Sequence, residues 1–320
     1  MELAVIIFLF LVGIVFIVKG GDYFVDAASW MAEVSGIPKL IIGATVVSLA
    51  TTLPEMLVSV MAAARGSVDM AIGNAVGSVT ANVGLIMAIS LICMPAVIRR
   101  GDYLMKSALM LAAAALIVVS GAAGETGTAV SAALMAVFGL FLWENVSSAR
   151  KAMKACGEDS GRKKISGRKE VAANLLKFAV GAVGIVWGAD LLVDNGSALA
   201  SMIGIPERVI GVTIIAVGTS LPELITTITA IVKKQSSLSV GNILGANIID
   251  LTLILPLSSL VSGKALPIAE TSARLDLPAC LLVGCIAVIP AMIREKFQKW
   301  QGMLLLAVYA GYLFLTLRAV

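Results

Sequence analysis

Gly43-Ala-Thr-Val-Val-Ser-Leu-Ala-Thr-Thr-Leu-Pro-Glu55 is answered 168 residues later by Gly211-Val-Thr-Ile-Ile-Ala-Val-Gly-Thr-Ser-Leu-Pro-Glu223. Each copy sets a carboxylate directly after a proline in an otherwise apolar run. At the centre of a bilayer such a charge costs about 2.5–3.5 kcal/mol on insertion scales. A chain that carries this cost twice, at matched positions, uses the charge. Interrupted hydrophobic segments in corresponding places of two halves point to a transport site.

Around these motifs the composition is that of a polytopic membrane protein. The 320 residues are 59% hydrophobic and 14% charged, against about 25% charged in ordinary soluble domains. A helix needs about 20 apolar residues to cross a bilayer. Ten stretches answer to this, near 3–18, 40–64, 70–93, 104–122, 127–146, 171–192, 208–232, 238–260, 275–293 and 301–317. The chain opens Met-Glu-Leu without a basic stretch or a small-residue cleavage site, so its first apolar run is expected to be a span and not a cleaved leader. Cys93, Cys156, Cys280 and Cys285 have no metal-ligand spacing, and histidine is absent. Imidazole chemistry is therefore excluded.

The 168-residue offset extends past the motif. Asp22 and Asp26 match Asp190 and Asp194, Ile37-Pro38 matches Ile205-Pro206, Gly73-Asn74 matches Gly241-Asn242, and Gly77 matches Gly245. The chain divides into a five-span half at 1–145, a basic polar linker at 146–169 and a second half at 170–320. Five is odd, so the second half must be inverted relative to the first. The basic residues agree. With the N-terminus outside, most of the 24 Lys and Arg fall on the inner side, eight of them around the linker, leaving Arg65, Arg208, Lys264, Arg274 and Arg318 outside. That bias puts both termini outside and the linker in the cytoplasm, where it faces anionic headgroups and not nucleic acid. The expected architecture is all-α: ten transmembrane helices in two inverted five-helix repeats, with discontinuous helices at the centre. Repeats of this kind are the usual machinery of alternating access.

Pro54 and its counterpart Pro222 remove an N–H and crowd the preceding turn, so both helices are expected to break or kink there. Carbonyls freed in this way are tolerated at membrane depth where they are buried or line a cavity. Thr51 stands four residues before Glu55, and Thr219 four before Glu223, so hydroxyl, carbonyl and carboxylate share one face. In the next spans, Gly73-x-x-x-Gly77 precedes Ser78 and Asn82, and Gly241-x-x-x-Gly245 precedes Ala246 and Asp250. Gly-x-x-x-Gly lets helices approach closely and would carry these polar side chains against the broken spans. Apart from the amide nitrogen of Asn82, every donor is an oxygen. Such a set suits hard cations: Ca²⁺ takes six to eight oxygens, whereas softer metals favour Cys and His. Two glutamates can neutralise one Ca²⁺. Three carboxylates can neutralise three Na⁺ or accept protons. Competition for shared ligands suffices for antiport.

At these residues the chain resembles the cation/calcium exchanger superfamily, in particular its prokaryotic sodium/calcium exchangers. The resemblance rests on Gly-x-Thr-x-x-x-x-x-Thr-[Ser/Thr]-Leu-Pro-Glu followed by Gly-Asn-x-x-Gly, in both halves. It implies a central four-site cluster. Glu55 and Glu223 would be the principal calcium ligands, assisted by the backbone oxygens of Thr51 and Thr219. Ser78, Ser220 and the carbonyls of Ser48 and Ala216 would serve sodium, and Asn82 and Asp250 would line the middle site. Thr52 holds the position matched to Ser220. Against the family pattern, Ala246 replaces a serine, Ser48 an alanine, Thr52 a serine and Ala50 a glycine. The implied activity is Ca²⁺/Na⁺ antiport in the inner membrane with no bound cofactor. Proton-coupled or potassium-dependent antiport and a calcium channel are the alternatives, and a membrane aspartyl protease lacks any further motif. Asp22, Asp26, Asp190 and Asp194 are expected at span ends, Glu125 and Glu144 in water, and Trp143, Trp187 and Trp300 in an interfacial belt with Trp30 in a connector.

Overall fold

The computed structural model describes residues 2–66, 68–94, 100–155, 167–204 and 220–319. Its helices are α1 (Glu2–Ser35), α2 (Lys39–Ala64), α3 (Val68–Cys93), α4 (Arg100–Ala123), α5 (Thr128–Ala155), α6 (Arg168–Met202), α7 (Leu221–Val232), α8 (Ser236–Ser262), α9 (Ser272–Arg294) and α10 (Lys299–Ala319). Among the described residues, eight helices are long and apolar enough to cross a membrane: α1 to α6, α8 and α9. The 12-residue α7 begins just where description resumes after residues 205–219, and the 21-residue α10 is outside the eight. The protein is thus an integral, multi-pass, mostly helical membrane protein.

Burial separates the helices into an inner and an outer set. In α8 and α3, 78% and 72% of the most apolar window is buried within the protein, against 17% in α1 and 24% in α6. The motif helices lean on the inner pair. Gly241 and Gly245 of α8 receive the backbone of α2: a methyl group on Gly241 would strike the carbonyl oxygen of Leu40, and one on Gly245 would stand 2.5 Å from that of Ala44. This is the close approach expected of Gly-x-x-x-Gly. A methyl group on Gly73 or Gly77 of α3 would meet no described atom of another helix within 4 Å. Residues 208–216, the repeat counterpart of Leu40–Ser48, lie outside the described residues.

On the outer side, α1 and α6 also pack backbone to backbone. A methyl group on Gly13 would lie 3.0 Å from the carbonyl oxygen of Gly188, and one on Gly20 would lie 2.9 Å from that of Gly181. The partner number falls as the residue number rises, so the two helices run antiparallel. In the repeat numbering Gly13 matches Gly181, and Gly20 matches Gly188. The seam is therefore reciprocal.

Several local expectations are corrected. α1 runs to Ser35 and α6 to Met202, so both helices continue past the expected spans and past Asp22, Asp26, Asp190 and Asp194. Trp30 is in α1, not in a connector. It is buried and donates its indole N–H to Glu170 Oε1 at 2.9 Å. α5 continues through Ala155 into the predicted linker, of which residues 156–166, with Cys156, lie outside the described set. Glu144 is buried and not solvated. It accepts from Lys106 Nζ at 2.5 Å and from Ser148 Oγ at 2.8 Å, with Lys106 itself fully buried. Losing either partner of such a pair would strand a charge. At the position matched to Glu144 stands Tyr312, which donates to Asp276 Oδ1 at 3.0 Å. Both contacts thus pin the fourth helix of a half to the fifth. Within the mostly helical chain, Glu125–Thr126 and Leu266–Pro267 form a short antiparallel ladder that ties two loops together.

Candidate functional site

The expected break at Pro54 is absent. Helix continues from Ser48 through Ala64 with Pro54 inside it, and the departure from α-geometry comes earlier, in the wider π turn Gly43–Val47. A proline deletes one ladder bond, and a widened turn ahead of it gives the chain room to bend without breaking. In the second half, Pro222 sits in the first turn of α7, where a missing N–H costs least. Two further π turns fall at matched positions. Asn82 opens the turn Asn82–Met87 in α3, and Asp250 opens Asp250–Ile254 in α8. Such bulges occur frequently at functional sites.

Glu55, Glu223, Asp250, Asn82 and Ser48 are fully buried, and Thr51, Thr52, Ser78 and Ser220 nearly so. The halves exchange hydroxyls. Ser220 Oγ donates to Glu55 Oε1 at 2.8 Å, and Thr52 Oγ1 donates to Glu223 Oε1 at 3.3 Å. Thr52 and Ser220 are repeat counterparts, as are the two glutamates, so each carboxylate is held by the opposite motif. Ser78 and Asp250 also interact with Glu55, Thr51 with Glu223, and Asp250 with both glutamates. Among the described residues, no three acidic, Cys or His side chains converge as a ready-made metal cage. Any cation held here takes a mixed set of carboxylate, hydroxyl, amide and carbonyl oxygens.

The second oxygens of both glutamates, both oxygens of Asp250 and both polar atoms of Asn82 are buried without hydrogen-bond partners. Orphaned polar atoms on this scale are rare in a folded interior. Asn82 and Asp250 therefore do not hydrogen-bond each other. The unspent valence is almost all anionic or carbonyl oxygen, which suits a hard cation.

Of the predicted site residues, Glu55, Glu223, Asp250, Thr51, Thr52, Ser78 and Ser220 belong to one connected cluster, and Asn82 opens the π turn matched to that of Asp250. Ser48 stands beside this cluster. Its hydroxyl donates to Thr45 O at 3.3 Å and faces Gly245, next to Ala246. Thr219 and Ala216 lie outside the described residues. Sequence reasoning missed a supporting residue, Asn74. Its amide donates to the backbone oxygen of Glu55 at 3.2 Å and to Ser59 Oγ at 2.9 Å, pinning the glutamate helix. The Gly-Asn pair recurring in both halves was the available signal. Asn242, its counterpart, accepts from Thr51 Oγ1 at 3.3 Å, while its own amide nitrogen and the hydroxyl of Thr227 have no partner.

Fold and site together define a membrane protein with a buried, oxygen-lined polar cluster shared by two matched motifs. The profile of the family described as sodium/calcium exchanger protein matches residues 5–146 and again 173–318. The chain belongs to that family, and to its prokaryotic type. It is 30% identical to the sodium/calcium exchanger MaX1 of Methanosarcina acetivorans, over 95% of this chain and 96% of the relative. It is 33% identical to the inner membrane protein YrbG of Escherichia coli, over 87% and 86%. A solved structure of the sodium-calcium exchanger NCX_Mj, soaked with Na⁺ and Sr²⁺, superposes with a TM-score of 0.76 at 27% identity, covering 96% of this chain and 97% of that one.

Proposed function

We propose that the protein exchanges Ca²⁺ for Na⁺ across the cell membrane by alternating access. The observation that carries this reading is the reciprocal hydroxyl exchange, in which two buried glutamates from matched motifs are each held by the other half. Glu55 and Glu223 bind the calcium ion, with Thr51 and Thr219 assisting. Sodium draws on Ser78, Ser220, Thr52 and the Ser48 and Ala216 carbonyls, and Asn82 and Asp250 flank the middle position. Thr219 and Ala216 enter on sequence alone. The architecture proposed is ten spans in two inverted halves, 1–145 and 170–320, with both termini outside. The antiparallel, reciprocal α1–α6 seam and the twofold profile match support it.

Purified protein in calcium-loaded vesicles tests the coupling ion. Calcium flux should follow an imposed sodium gradient and ignore a pH gradient. Flux driven by pH alone would give the protein to the proton-coupled branch. The Ser48/Ala246 pair supplies a finer prediction. The hydroxyl that the family places at 246 is missing, and Ser48 puts one on the facing wall. Ser48→Ala should therefore raise the sodium concentration needed for half-maximal exchange, and adding Ala246→Ser should bring it back. An unchanged sodium dependence in both would show that the wall is idle.

A further inference from the structure

The helix carrying each glutamate ends on a cation ten residues later: Arg65 closes α2 and Lys233 closes α7. These two are repeat counterparts. Each half also has a pair of aspartates one turn apart on its long outer helix, Asp22 and Asp26 on α1, Asp190 and Asp194 on α6. Lys233 holds the first pair. Its ammonium lies 3.2 Å from Asp22 Oδ1 and 2.8 Å from Asp26 Oδ1, and donates to the Asp22 carbonyl oxygen at 2.9 Å. Gly21 presses against Thr229 at the same crossing, so α1 and α7 are in close contact there. Among the described residues, Arg65 makes no ion pair, and neither Asp190 nor Asp194 has a cationic partner.

The same one-sidedness recurs at the glutamate helices. Asn74 is bonded to Ser59 and to the Glu55 carbonyl, while the matched Asn242 amide nitrogen and Thr227 hydroxyl have no partner. Sequence elements matched across the repeat are thus engaged in one half and released in the other at two separate places. In a chain built from two matched halves, exchanging their roles would let the released set engage.

We propose that Lys233 and Arg65 are alternating positioning residues: Lys233 fastens the glutamate helix α7 to Asp22 and Asp26 of α1 in one state, and Arg65 fastens α2 to Asp190 and Asp194 of α6 in the other. The inference rests on the alternating-access reading and names the contacts that decide which side is shut. Because one ion-pair set forms as the other breaks, the switch needs little net electrostatic work. The empty or loaded central cluster can then decide its direction.

The test uses full-length protein freed of its four cysteines, reconstituted in vesicles. One pair is Lys233→Cys with Asp26→Cys, the other Arg65→Cys with Asp194→Cys. Each is treated with a short bifunctional thiol reagent and mapped by mass spectrometry. Each cross-link should form alone and slow calcium exchange at least tenfold, and protein carrying all four cysteines should never hold both cross-links in one molecule. Both links in one molecule, or a linked protein exchanging at the unlinked rate, would overturn the proposal. The mapping does not depend on transport, so an unlinked parent that moves no calcium counts against the transport reading and leaves the exclusivity to be read. Should the cysteine-free protein not fold, Lys233→Asp is expected to slow exchange at least fivefold and added Asp26→Lys to restore it; equal rates in the two would count against the latch.

Discussion

Glu223→Gln is expected to reduce calcium exchange about a hundredfold or more while leaving the protein folded. Glutamine keeps the shape of the side chain, and its carbonyl oxygen can still accept the Thr52 hydroxyl that now reaches Oε1. What disappears is one negative charge at a fully buried position. Removing one partner from a buried, compensated charge pair, here a carboxylate from the calcium ion it would hold, costs about 3–5 kcal/mol, which is about two to three and a half decades in affinity. The same holds for Glu55→Gln, whose Oε1 would keep its bond from Ser220. Calcium uptake into sodium-loaded vesicles measures the loss, and a melting curve in detergent checks that the fold survives. A variant that keeps its exchange rate would mean that the ion is held elsewhere.

The second large effect is structural in origin. Gly241→Ala puts a methyl group against the carbonyl oxygen of Leu40, where α8 and α2 touch through their backbones. Neither helix can yield locally, because the obstacle is backbone and not the tip of a flexible side chain. Overpacking a tight interior costs about 1–3 kcal/mol and sometimes more, and here the displaced helix carries Glu55. The variant should melt at a lower temperature and lose most of its exchange. Gly139→Ala is the control. That glycine of α5 is exposed with no neighbour within 4 Å, and alanine is about 1 kcal/mol the better helix former. Equal behaviour of the two variants would remove the α2–α8 contact from the account of the site.

The sequence made the apolar spans and the principal acids legible for one physical reason. Charge in hydrocarbon is expensive, so Glu55, Glu223 and Asp250 stand out wherever they occur. The same logic did not show that the helices run on past Asp22, Asp26, Asp190 and Asp194. Polar residues on one face of a long helix look, to a hydropathy reading, like the end of that helix. Glu144 was misjudged because its partner Lys106 is 38 residues away, and pairing across that distance leaves no local trace. The π turns at Asn82 and Asp250 carry no sequence signature either. Pro54 raised the expectation of a break or kink, but the helix continues through it, and the departure from α-geometry lies upstream.

The reciprocal seam between α1 and α6 has a consequence for ancestry. Gly13 meets Gly188 as Gly20 meets Gly181, so each outer helix presents the same surface to the other. Self-complementary contact of this kind is what two identical chains make across a twofold axis. A single half, inserted into the bilayer both ways up, would already possess the surface needed to pair with its own copy. Joining two such halves in one polypeptide would ask for no new interface, and would let matched positions differ, as Asn82 and Asp250 do.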